Sequence, residues 1–151
     1  MSVYETILAD LKTAMRNKDS VKLNVLRSLK AAILQKEISE RKGGEGALTD
    51  EQVISVIMKS AKQRKESIDQ YEKYDRKDLA EKEKEELVII ESYLPKMLSE
   101  DEIRDVVQTV IEETGASSPQ EMGKVMGKVM PQLKGKADGA LINKIVKEQL
   151  N

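Results

Sequence analysis

Residues 122–150 read MGKVMGKVMPQLKGKADGALINKIVKEQL, and this stretch decides what kind of chain it belongs to. Met122, Val125, Met126, Val129 and Met130 recur at helical spacing and fall on one stripe. Pro131 is expected to break that helix, Lys134, Gly135 and Lys136 to form a turn, and Asp138 to start a second helix. The second helix faces inward through Leu141, Ile142, Ile145, Val146 and Leu150. Two short helices around a basic turn therefore result. Six lysines (Lys124, Lys128, Lys134, Lys136, Lys144 and Lys147) stand here against Asp138 and Glu148, whereas Lys96 to Glu121 carries two basic residues against seven acidic ones. The basic character is local to this end.

Upstream, the same signals repeat. Ser118, Pro119 and Glu121 mark a helix start, with proline where its missing donor costs nothing. Ser99 with Glu102 has capping-box spacing ahead of Ile103, Val106, Val107 and Val110, and Gly115 closes that helix. Pro95 separates these three helices from a longer N-terminal part. There, Ser2 opens a helix carrying Tyr4, Ile7, Leu8, Leu11, Ala14 and Met15 on one face, which stops near Asn17 to Asp19. A second runs from Ser20 to about Arg41 with apolar stripes on two sides, the pattern of a helix central in a bundle. Three glycines in Lys42 to Gly46 predict a loop. Thr49 with Gln52 caps a long third helix reaching about Asp75, and Asp78 is expected to cap a fourth that Pro95 ends. No segment alternates with period two, so the fold class is all-α. The expectation is a four-helix domain at 1–95 with a long helical hairpin, joined to a small three-helix bundle at 96–151.

Particular positions carry sharper expectations. Arg64 falls inside the apolar stripe of the third helix and needs a carboxylate; a hairpin turning at Arg76 and Lys77 puts Glu91 level with it, with Glu86 as the alternative. Gly123 and Gly127 sit in a helix interior, where glycine costs up to about 1 kcal/mol relative to alanine. A close neighbour, either another helix or a ligand backbone, would explain them. The helix wheel places Lys124, Lys128, Lys144 and Lys147 opposite the apolar arcs, so with Lys134 and Lys136 they form a candidate phosphate-binding face. Lysines on exposed helices need no such role, and the methionines serve equally as core filler.

On these residues the chain resembles a known group. Gly127, Met130, the run Lys134, Gly135, Lys136 and Ala137, and Leu141 to Leu150 are similar to the tail domain of GatB, a subunit of the glutamine-dependent tRNA amidotransferase. Arg76, Asp78, Leu79, Ala80, Glu83, Glu86 and the Tyr93-Leu94-Pro95 junction resemble the stand-alone YqeY family, which joins a helical domain to such a tail. Asp138 and Gly139 depart from the Asn-Pro more usual at that point, though Asp caps as well as Asn. The resemblance implies binding or positioning of tRNA, alongside an amidotransferase or synthetase partner.

Composition narrows the classes. With 151 residues, no Cys and no His, the chain lacks disulfides, thiolate chemistry and the commonest general base and metal ligand. No catalytic residue, metal site or cofactor is assigned. The glycines of Gly43 to Gly46 lack the lysine and hydroxyl of a P-loop, and no Ser-Ser-Lys or Cys centre exists, so amidotransferase activity would come by family association only. Net charge is −1, so attraction to RNA must come from a patch. Four tyrosines and no Trp or Phe give no stacking platform, which leaves structured RNA read by shape and phosphates. Glu5 and Asp10 interrupt any apolar leader and no run approaches a membrane span, so a cytoplasmic location and no membrane partner are expected. The alternative function is a helical protein-interaction adaptor that does not bind nucleic acid.

Overall fold

The computed structural model describes residues 1–40 and 47–151; the loop expected at Lys42 to Gly46 lies outside the described residues. Those residues form seven α-helices and one short 3-10 turn, with no strand among them: α1 (Val3–Asn17), α2 (Ser20–Glu40), α3 (Asp50–Lys73), α4 (Lys77–Glu91), α5 (Glu100–Thr114), α6 (Met122–Leu133) and α7 (Gly139–Leu150), with Pro119–Glu121 leading into α6. The chain divides into two compact units, Met1–Leu94 and Pro95–Asn151.

Local signals set most of the boundaries. Ser2 and Glu5 form a full capping box, as do Thr49 and Gln52; at Ser118 the Glu121 carboxylate accepts from the Ser118 N–H at 3.2 Å while the Glu121 N–H returns to the Ser118 carbonyl at 3.0 Å. Ser99 accepts from the Glu102 N–H without the reciprocal bond, and Gly115 closes α5 in the left-handed region at φ 69°. Asp78 does not cap α4. Arg76 holds the N-cap position with no side-chain bond, and Asp78 sits in the first turn, where the Arg76 guanidinium 3.4 Å away holds its carboxyl below the usual range. Nor does Pro131 end α6, which continues to Leu133. The only intrahelical partner a Pro131 N–H could have had is the carbonyl of Gly127, and Gly127 faces solvent, where water can replace the bond.

In Met1–Leu94 the core is built from Ile7, Leu26, Leu29, Ile33, Ile57 and Ile90 with their neighbours. α3 and α4 pack against each other along most of their length. α2 is not enclosed on both sides. Val25, Leu26, Leu29 and Ile33 are buried, but its second stripe is open, with Leu34 and Ile38 exposed, because α1, α3 and α4 all pack on the first.

The hairpin turns earlier than expected. Asp75 takes the left-handed conformation at φ 57°, one of the few non-glycine residues that does so at modest cost, and the Arg76 N–H returns to the Tyr71 carbonyl at 2.7 Å. The centre of the turn is therefore Asp75, and Arg64 meets Glu83 at 2.9 Å and Glu86 alongside it. Glu91 lies exposed at the end of α4 and is not its partner. Glu86 is the one buried charged residue described, at 9 % exposure.

The end of this unit is tied back to its start by Tyr93, whose hydroxyl donates to Asp10 at 2.6 Å. Burial and this carboxylate both raise the tyrosine's pKa, so the contribution is fully present below about pH 10 and is lost as pH rises beyond it. Tyr93→Phe is expected to cost about 1 kcal/mol. A denaturant midpoint measured at neutral pH checks it, and the difference from the parent should shrink at strongly alkaline pH.

In Pro95–Asn151, α5, α6 and α7 enclose a separate core of Ile103, Val107, Val125, Val129, Ile142 and Ile145 with their neighbours. Met122, Met126 and Met130 are half-buried at its edge, so they are core filler in this unit.

Candidate nucleic-acid interface

The candidate face is set by which arcs of α6 and α7 the core consumes. Val125, Val129 and Leu133 are buried along α6, which turns Lys124 and Lys128 outward; Ile142, Ile145, Val146 and Leu150 are buried along α7, which turns Lys144 and Lys147 outward. Lys134 and Lys136, in the turn, are also exposed. Counted from Lys136, Lys128 and Lys144 are each eight residues away, and Lys124 and Lys147 twelve and eleven. Along the chain the lysines are thus spaced almost evenly to either side of the turn.

Backbone hydrogen bonds and a left-handed glycine hold that turn. Gly135 takes φ 78°, a left-handed position that a side chain would strain. The Lys134 N–H donates to Met130 O, the Lys136 N–H to Leu133 O, and the Lys136 carbonyl accepts from the Leu98 N–H, each at 2.9 Å. Asp138 caps α7 by accepting from the Ala140 N–H at 3.2 Å.

The nearby carboxylates are largely engaged. Asp138 is spent on its cap, and Glu148 lies 3.6 Å from Arg104, which also holds Glu100 at 2.9 Å. Glu121 accepts from the Ser117 and Ser118 N–H groups, which hold its carboxyl below the usual range with help from Lys124. Lys124 itself donates to the Thr114 carbonyl at 3.3 Å, so it is partly committed. The exposed lysines are point charges on flexible stems, suited to phosphates spread over a backbone.

Gly123 and Gly127 occupy the outer arc of α6 beside Lys124 and are exposed. A Cβ added at either would meet nothing within 4 Å, so no neighbouring helix accounts for them. Replacing each by alanine is expected to stabilise Pro95–Asn151 by about 0.5 to 1 kcal/mol. Thermal melting of the two single variants checks this. If a ligand backbone approaches that arc, the same variants bind it more weakly while melting higher.

Arg64, Glu83 and Glu86 belong to Met1–Leu94 and form a structural ion cluster in that unit. A shallow cleft at the α3–α4 end is walled by Glu72, Lys77, Ala80, Glu81 and Lys84, where the Lys84 ammonium is held by Glu72 at 2.8 Å and Glu81 at 3.6 Å. That leaves no activated nucleophile in it. The sequence reading missed a different feature, the cluster of Lys12, Arg16, Lys18 and Lys22 at the α1–α2 corner, although its spacing was visible.

Comparison with known proteins adds a family. The model of the Yqey-like protein family matches residues 4–150. A protein of Pyrenophora tritici-repentis named altered inheritance of mitochondria protein 41, mitochondrial, is 34% identical over 97% of this chain and 80% of its own length. Proteins of the same name are 35% identical in Meyerozyma guilliermondii, over 85% of this chain and 67% of the relative, and 31% identical in Saccharomyces cerevisiae, over 92% and 78%. These mitochondrial names overturn the cytoplasmic location expected above. That expectation tested only for an apolar leader, a feature that mitochondrial targeting does not require.

Proposed function

From the premise that this chain belongs to the YqeY-like protein family, we propose that it binds or positions structured RNA, tRNA above all, through the basic side of α6, the α6–α7 turn and α7. In this reading Met1–Leu94 and Pro95–Asn151 are separately folding domains, of four and three helices, and the second carries the RNA. The observation that carries it is the outward placement of Lys124, Lys128, Lys134, Lys136, Lys144 and Lys147 around a turn fixed by its own backbone, so that every ammonium is at the surface. The resemblance of the same turn to the GatB tail makes tRNA the first RNA to try, with an amidotransferase or synthetase as the partner that would use it. In this reading the chain's part is binding, and amidotransferase activity would come by family association only. Retention of labelled total tRNA at low and at moderate salt tests the reading: strong retention at low salt that falls steeply supports it, since phosphate contacts release counterions.

A second reading draws on Met1–Leu94. Ile38 is 67 % exposed and Leu34 lies one turn away on the same open stripe of α2. A helix-binding adaptor would use such a stripe, and tRNA that is not retained at any salt favours it.

A further inference from the structure

The corner where α1 meets α2 concentrates positive charge that the fold does not use. Lys12, Arg16, Lys18 and Lys22 stand against a single carboxylate, Asp19, and Asp19 is engaged in accepting from the Lys22 N–H at 3.2 Å. None of the four cations has a side-chain partner among the described residues. Lys12 precedes Lys18 by six residues, roughly 9 Å of helix, so all four surround one corner.

Two apolar side chains stand among them. Met15, which its spacing put on the inward face of α1, is instead 55 % exposed in that helix's last turn, and Val21 is 38 % exposed. In the Pro95–Asn151 unit no large hydrophobic residue is comparably open, so the two basic surfaces differ in kind. Phosphate binding alone gives no reason to leave aliphatic side chains in water. A lipid surface rewards both features together: aliphatic tips enter the headgroup boundary and cationic side chains meet the anionic headgroups.

The backbone suits the same use. Lys18, at φ 54°, closes α1, and its N–H and that of Asp19 return to the Met15 and Ala14 carbonyls at 3.3 and 3.0 Å. The Leu23 N–H returns to Asp19 O at 2.9 Å. The corner therefore approaches a low-dielectric boundary with these polar groups already satisfied.

We propose that the α1–α2 corner docks peripherally on an anionic lipid surface, with Met15 and Val21 entering the headgroup boundary and Lys12, Arg16, Lys18 and Lys22 held by the headgroup charges. Peripheral docking needs no spanning helix, and none of the described helices is long and apolar enough to cross a membrane. The corner belongs to Met1–Leu94 and the RNA-binding face proposed above to Pro95–Asn151, and the lipid proposal does not rest on that reading.

Co-sedimentation with vesicles tests the proposal, using phosphatidylcholine alone and phosphatidylcholine mixed equally with phosphatidylserine. The parent should sediment with the mixed vesicles, not with the neutral ones, and should be released as salt rises. Lys12→Glu with Lys18→Glu should weaken partitioning by at least roughly 25-fold, taking about fivefold for each cation lost. Met15→Ser with Val21→Ser, which keeps every charge, should weaken it roughly tenfold. All four positions are exposed, so both variants should melt like the parent. Equal sedimentation with both vesicle types, sedimentation with neither, or undiminished binding by the charge variant overturns the proposal. So does a charge variant that loses tRNA retention in place of vesicle binding, which would make the corner a nucleic-acid surface.

Discussion

Replacing Arg64 by alanine is expected to cost Met1–Leu94 about 3 kcal/mol, the lower end of what removing one partner of a buried ion pair costs. One guanidinium nitrogen, Arg64 Nη1, serves both Glu83 and Glu86. Removing it leaves two carboxylates side by side with no cation, one of them on a residue only 9 % exposed. The side chains of Arg64 and Glu83 retain 24% and 18% of their exposure, so water softens the penalty and the lower end of the range applies. At about 4 to 8 °C per kcal/mol for a unit of this size, melting should fall by roughly 12 to 24 °C. Arg64→Met combined with Glu83→Gln and Glu86→Leu should recover most of the loss, because the charges leave together. Arg16→Ala, on an exposed cation with no side-chain partner among the described residues, should change stability by no more than about 0.5 kcal/mol. An Arg64→Ala variant that melts like the parent would show that the cluster contributes nothing to the fold.

Charge reversal at Lys134 and Lys136 is expected to remove most RNA binding while leaving the fold intact. Both side chains are exposed, and the turn is held by the Lys134 N–H, the Lys136 N–H and carbonyl, and Gly135 at φ 78°, none of which a side-chain change removes. Two lost phosphate contacts should flatten the slope of log K against log salt by about 1.4 to 1.8, at roughly 0.7 to 0.9 per contact. Carried to physiological salt, that slope corresponds to roughly 15- to 30-fold weaker binding, and the added repulsion makes it a lower bound. The Lys12→Glu, Lys18→Glu variant is the control, since those positions lie in the other unit, and it should retain tRNA as the parent does. If both double variants bind equally well, the basic turn is not where RNA sits.

How much of this was legible in the sequence depends on whether the signal was local. Caps at Ser2, Thr49, Ser99, Ser118 and Asp138 are local chemistry, and the helices begin beside them. Arg64's need for a partner was legible from its place in the stripe, but the identity of that partner depended on where the hairpin turns. The turn is made by an aspartate in the left-handed region, where composition suggested nothing unusual. The open stripe of α2 was misread for a related reason: periodicity shows that a face is apolar and not whether anything covers it. At the candidate site, the outward placement of the lysines followed from the helix wheel. That Gly123 and Gly127 have no close neighbour did not, because the glycine pattern is the same with or without one.

The most direct measurement is the titration of unmodified tRNA into the isotopically labelled full chain, followed by amide resonance shifts at low salt. The account predicts shifts concentrated in α6, residues 134–138 and the outward side of α7, with Gly127, Lys128, Gly135 and Lys144 among the largest, and with α1 to α4 nearly unchanged. Shifts centred on Leu34 and Ile38 or on the α1–α2 corner, or no shifts at an excess of tRNA, would contradict it.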